Sequence, residues 1–149
     1  MAIDSILVAI DWSDNMPAII EAADRAAILN DARVHLVHVV PVSTELTVSD
    51  GSMPNLLEPY PYENLEEAEH ELVAVKQRMK HDPDKIVLHV DQGSAANELL
   101  HQCEALGCDL VVMGSHGHGA VYNLLVGSAS EAVLHHAKVP VMVVPAPGK

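Results

Sequence analysis

Apolar residues along the chain fall into two alternating kinds of segment. From Ile3 to Ile10 the run is broken only by Asp4 and Ser5. It is too continuous for a strand with one wet face, so a central strand is predicted there. It stops at Asp11. Ile19, Ala22, Ala23, Ala26 and Leu29 then recur on one face of a predicted helix to about Asn30, with Ser13, Asp14 and Asn15 as available caps and Pro17 suited to the first turn. Val34 to Val40 reads as a second strand, ended by Pro41. A stretch rich in Ser, Thr, Pro and Gly from Pro41 to about Pro61 breaks the rhythm as one long loop, either a lid over a ligand or a disordered segment.

The alternation then resumes. From about Tyr62 to His81 a helix is predicted, with Leu65, Ala68, Leu72, Val75 and Met79 on one stripe, Glu63, Glu66, Glu67, Glu69 and Glu71 off it, and Pro83 as its stop. Ile86 to Val90 gives a third strand. Ser94 can cap a helix carrying Ala96, Leu99, Leu100, Cys103 and Leu106, closed by Gly107. Asp109 to Met113 gives a fourth strand, Ser128 to Ala137 a last helix, and Val139 to Val144 a fifth strand ending at Pro145. The order βαβαβαβαβ implies an α/β fold: a parallel sheet with right-handed crossovers and helices on both faces, in a single domain over residues 1–149.

Composition narrows the chemistry. Phe is absent, so Val, Leu, Ile, Ala and Met must build the core. No apolar run approaches the roughly 20 residues needed to cross a bilayer, and the N-terminal segment is acidic where a signal peptide is basic. A cytoplasmic location without membrane insertion is the expectation. A net charge of −13, from 21 acidic against 8 basic residues, disfavours nucleic acid and anionic membranes as partners. Cys103 and Cys108 are too few and too close to staple a fold and read as reduced, buried thiols.

Ligands of open parallel sheets sit beyond the carboxyl ends of the strands, where the winding direction switches. After the fourth strand the chain runs Met113-Gly114-Ser115-His116-Gly117-His118-Gly119, and after an apolar segment Gly127-Ser128-Ala129-Ser130-Glu131. Glycines reach positive φ and leave no Cβ between amides and a phosphate, while a helix N-terminus adds free donors and a positive dipole end. A P-loop would need Lys then Ser or Thr where Ala120 and Val121 stand, and a dinucleotide fingerprint would need glycine at Tyr122.

The spacing Gly114-x2-Gly117-x9-Gly127-Ser128 resembles the nucleotide motif of ATP-binding universal stress proteins. The resemblance extends to Ile6–Ser13 as that family's opening strand and acidic turn, to Leu36–Val40 as its second strand and to Pro140–Val144 as its closing strand. It covers nearly the whole chain, the middle loop least. It implies a five-stranded Rossmann-like sheet of order 3-2-1-4-5, as in adenine nucleotide alpha hydrolases. It implies that Ala9, Ile10 and Asp11 line the ribose and adenine side and that Val39 meets adenine through its backbone. Gly114, Gly117, Gly127, Ser128, Ala129 and Ser130 would cradle the phosphates, with Met113 and His116 also among the nucleotide-binding residues. It further implies a homodimer through Val141, Met142, Val143 and Val144, and a stress-signalling role toward an unknown protein partner.

One departure from a generic polyphosphate site is that residues 86–137 contain no Lys or Arg. ATP is therefore expected with Mg²⁺ or Mn²⁺, held mainly by backbone donors, and hydrolysis is expected to be negligible or slow, with no catalytic residue. Two alternatives stay open: a slow ATPase or phosphotransferase with Asp11 or His116 as base, and a dimeric interaction module that has lost nucleotide binding. Structural readings stand beside the functional ones. Ser128 and Glu131 make a capping-box pattern, and Asp11 suits a helix cap or a turn. His116 and His118 lack a visible third metal ligand, so no metal on protein side chains is expected. His35, His38 and His89 read as strand packing residues, His135 and His136 as favourable at a helix C-terminus, and the Glu-rich run 58–71 as a solvated face. Ten histidines suggest pH sensitivity without singling out a switch.

Overall fold

The computed structural model describes residues 2–42, 46–47, 55–56, 64–115 and 127–146. Five parallel strands form one sheet: β1 (Ser5–Ala9), β2 (Arg33–Val40), β3 (Ile86–Gln92), β4 (Leu110–Gly114) and β5 (Val141–Val144), in the order β3-β2-β1-β4-β5. This is the expected 3-2-1-4-5 order. Helices α1 (Met16–Asn30), α2 (Leu65–Arg78), α3 (Ala95–Ala105) and α4 (Ser128–His136) connect them. Within the long connection 41–61, Leu46–Thr47 and Asn55–Leu56 pair as a short antiparallel ribbon. The rest of the proposed lid lies outside the described residues.

Strand alternation sorts the core into two layers. Ile6, Val8, Ile10, Val34 and Leu36 pack with Ile19, Ile20 and Ala23 of α1 and Leu72 and Val75 of α2. Leu7, Val37, Val39, Val111 and Met113 face the other way, onto Leu99 and Cys103 of α3 and Val133 of α4. The register is set by Ile6 lying opposite both Val34 and Leu110, which places the ends of β1, β2 and β4 side by side. Among the described residues no helix is long and apolar enough to cross a membrane.

Some boundaries differ from the sequence expectation, for tertiary reasons. Helix α2 ends at Arg78, ahead of Pro83, because Met79 turns extended to bury its side chain while the amides of Lys80 and His81 donate to the Asp24 carboxylate at 3.0 and 3.3 Å. His81 closes the same junction with a 2.7 Å bond to the Ala32 carbonyl. Strand β1 starts at Ser5, where the Asp109 carboxylate accepts from the amides of Asp4 and Ser5. Both cysteines are buried and free, and burial raises each thiol above its ordinary pKa. Gly107 stops α3 as expected, with φ 64°.

Candidate functional site

The site begins where β1 stops. Ile10 N–H donates to Val37 O at 2.9 Å, the last rung between β1 and β2. Because Val37 turns its peptide groups toward β1, Val39, two residues on, does the same. A continuing ladder would carry a bond from Val39 N–H to Ile10 O, and that bond is absent among the described residues. The Ile10 carbonyl instead meets His38 Nδ1 at 2.7 Å. The main-chain groups of Val39 therefore point past the end of β1, into the crevice at the switch between β1 and β4.

Asp11 takes the turn reading, because its Oδ1 accepts from Ser13 N–H at 3.0 Å. Its other carboxylate oxygen has no partner among the described residues. Trp12 follows with φ 58°, a left-handed conformation costly for a bulky residue. Asn15 occupies the position before α1 but does not cap it. Its Nδ2 instead donates to Val144 O at 3.0 Å, tying this turn to the end of β5.

Across the crevice the end of β4 is clamped. Ser115 N–H also donates to Val144 O at 2.9 Å, Gly127 N–H donates to Ser115 O at 2.6 Å, and Ala146 N–H donates to Ser115 Oγ at 3.1 Å. Ser130, 3% exposed, donates its hydroxyl to Gly114 O at 2.8 Å. The start of α4 is thereby pinned beside Gly114, while Met113 is buried beneath.

The capping box does not form. Gly127 is the cap residue of α4, and among the described residues no side chain caps the helix start. Glu131 uses its amide for Gly127 O at 2.9 Å, and its carboxylate lies 3.7 Å from His135 Nε2. The amides of Ser128, Ala129 and Ser130 precede the first helical bond and have no intrahelical acceptor. Gly127 has φ −70°, and positive φ among the described glycines occurs at Gly93 and Gly107. Absence of a side chain, rather than backbone handedness, is thus what glycine contributes at 127.

The structure brings together Ala9, Ile10, Asp11, Val39, Met113, Gly114, Gly127, Ser128, Ala129 and Ser130 around the ends of β1, β2 and β4. His116, Gly117 and His118 lie outside the described residues. Sequence reasoning missed the site roles of His38 and Asn15. The available signal was a histidine two residues from the end of an apolar strand, since a buried polar side chain must find a partner. Away from the site, His35 and His89 meet ring to ring at 3.0 Å between β2 and β3. Burial lowers the pKa of both; His89 and Arg33 push His35 further down, while Asp91 opposes the shift of His89.

Residues 2–145 match the model of the Universal stress protein family. The chain belongs to this family. Universal stress protein G of Shigella flexneri is 34% identical over 115 residues, 77% of this chain and 79% of its own length. The fold is shared with the structure of the protein MJ0577, at TM-score 0.78, 21% identity and full coverage of both chains. It is shared with a universal stress protein in complex with cAMP, at TM-score 0.68, 17% identity and 97% and 98% coverage. A third, the universal stress protein from Archaeoglobus fulgidus in complex with dAMP, superimposes at TM-score 0.62, 19% identity and 96% and 98% coverage.

Proposed function

We propose that this universal stress protein binds ATP together with Mg²⁺ or Mn²⁺ in the crevice over β1, β2 and β4, and signals through the difference between its bound and empty forms. The observation that carries the reading is the pairing of two sets of uncommitted main-chain groups across one switch point. Val39 offers a donor and an acceptor, matching an adenine edge, and the first turn of α4 offers the amides of Ser128, Ala129 and Ser130 to phosphate oxygens. One Asp11 carboxylate oxygen, without a partner among the described residues, suits a ribose hydroxyl. The cAMP and dAMP complexes of its structural neighbours support an adenine nucleotide as the ligand class.

A divalent ion would bind through the phosphates and offset their charge, because residues 86–137 supply no cationic side chain other than histidine. The same shortage argues against rapid hydrolysis, which needs positive groups where charge develops. The protein would then act by presenting different surfaces to a partner, and only a partner that distinguishes the two forms can read them. Edge strand β5, with Met142 39% exposed, supports a homodimer through Val141–Val144. A cytoplasmic location fits this role.

Mass analysis of ligand released from protein purified without added nucleotide should detect an adenine nucleotide. Calorimetry should show ATP binding that weakens at least tenfold in EDTA, and that is abolished by Gly127→Val, which sets a side chain among the α4 amides. A folded Gly127→Val protein with unchanged affinity refutes the reading.

A further inference from the structure

Both walls of the crevice end on one carbonyl. Asn15 Nδ2, from the turn that follows Asp11, donates to Val144 O at 3.0 Å, and Ser115 N–H, from the end of β4, donates to the same oxygen at 2.9 Å. A carbonyl oxygen only accepts and has two lone pairs, so both are taken, and the Asn15 atom that faces it must be the amide nitrogen. Val144 is the last residue of β5, which among the described residues pairs with β4 alone. The free edge of the sheet is thereby tied to the rim of the crevice.

Asn15 forgoes a better local use to make this bond. It stands at the cap position of α1, where asparagine is among the most favourable residues, yet its side chain caps no amide. It is 4% exposed, and its Oδ1 is buried without a partner. A half-satisfied buried amide at an unused cap breaks two local rules in one residue, and such breaks collect where function requires them. The bond to Val144 fixes where that amide points.

We propose that Asn15 is a positioning residue that couples the nucleotide site to the edge of the sheet: through Val144 it makes order at β5 follow occupancy of the crevice, and makes a partner strand on β5 favour the occupied crevice. This deepens the nucleotide reading and rests on it for the ligand arm of the test.

The connection is short on both sides. From β1, Asp11 Oδ1 accepts from Ser13 N–H at 3.0 Å and Ser13 O accepts from Met16 N–H at 3.1 Å, so the turn and the start of α1 move together. From β4, Ser115 O accepts from Gly127 N–H at 2.6 Å, which carries the link to the first turn of α4, and Ser115 Oγ accepts from Ala146 N–H at 3.1 Å just beyond β5. A nucleotide reaching from Asp11 to the α4 amides immobilises both arms of this junction, and Val144 with them. Ligand and partner strand then share one coupling free energy, which acts equally in both directions.

The test is hydrogen exchange at residues 139–146 of the full chain, read by mass spectrometry with and without Mg-ATP at concentrations that calorimetry shows to saturate each protein. Wild type is compared with Asn15→Ala, with Asn15→Asp, which keeps the size but cannot donate when ionised, and with Asn30→Ala, which deletes an exposed side-chain bond to Ala26 O outside the site. Without ligand, exchange should be about tenfold faster in both Asn15 variants, the effect of one hydrogen bond, and unchanged in Asn30→Ala. Mg-ATP should slow it about tenfold in wild type and Asn30→Ala, and by less than about twofold in the Asn15 variants. A merely structural Asn15 would leave the ligand-dependent slowing in place, so an equal slowing in the variants overturns the proposal, as does ligand-free exchange in the variants that matches wild type. Failure of the wild type to bind Mg-ATP overturns the nucleotide reading instead, and the ligand-free comparison still decides the tie to β5.

Discussion

Ser130 separates a structural contribution from a ligand contribution within the candidate site. Its hydroxyl is committed to Gly114 O at 2.8 Å in a position 3% exposed, while its amide belongs to the open first turn of α4. Ser130→Ala removes the first and leaves the second. Deleting one partner of a buried neutral hydrogen bond costs about 1–3 kcal/mol, and about 2 kcal/mol is the central value. Alanine's better helix propensity returns up to about 0.5 kcal/mol. The net loss is about 1.5 kcal/mol, which lowers Tm by about 3–6 °C for a chain of this size. Urea unfolding followed by Trp12 emission should show the same loss as a lower midpoint with unchanged slope. Mg-ATP affinity measured well below Tm should stay within about twofold of wild type, because the donating amide is intact. An unchanged Tm with a tenfold loss of affinity refutes the assignment and places the hydroxyl on phosphate instead.

Three further outcomes follow from the same geometry. The folded state holds His35 and His89 below the ordinary imidazole pKa of 6.5, so the unfolded chain binds more protons and stability must rise with pH. The loss therefore begins as pH falls through about 6.5, and urea midpoints should show a shallower decline in His89→Gln than in wild type; equal declines contradict the assignment. Leu72→Ala, at a fully buried position on the inner face of α2, should cost about 2–5 kcal/mol, whereas Leu29→Gln, 86% exposed, should change stability by less than about 0.5 kcal/mol in the same denaturation assay. Raising salt from about 0.05 to about 0.3 M should strengthen Mg-ATP binding, since screening relieves repulsion from a chain of net charge −13 while main-chain donors act at contact; a weakening would indicate recognition by cationic side chains.

The sheet was legible because its strands are nearly unbroken runs of Val, Ile and Leu and its helices repeat on one face, two periods that cannot be exchanged. The helix ends were less so. Local sequence puts a stop at Pro83, but the chain leaves α2 after Arg78 because a carboxylate 56 residues earlier captures the Lys80 amide. Such a partner is invisible to any window of neighbouring residues. Ser128 and Glu131 show the converse: a capping pattern complete in sequence is left unused, because Gly127 takes the cap position and Glu131 faces His135 instead.

For the candidate site, what the sequence made legible is position. Glycines and an acidic residue follow apolar strands in the sequence, and the structure brings those described residues to adjoining strand ends. What the pattern could not show is how the ends are held. Asn15 and Ser115 converge on the carbonyl of Val144, and His38 takes the carbonyl of Ile10. Each polar group satisfies a strand-end carbonyl that the sheet itself can no longer pair, and in doing so fixes the rim. A crevice that recognises its ligand by main-chain groups needs those groups aimed before the ligand arrives, because a peptide cannot swing to meet a phosphate as a lysine can. In a site without lysine or arginine close in sequence, the side chains matter less as contacts than as struts, and substitutions at the struts should alter affinity without touching the ligand.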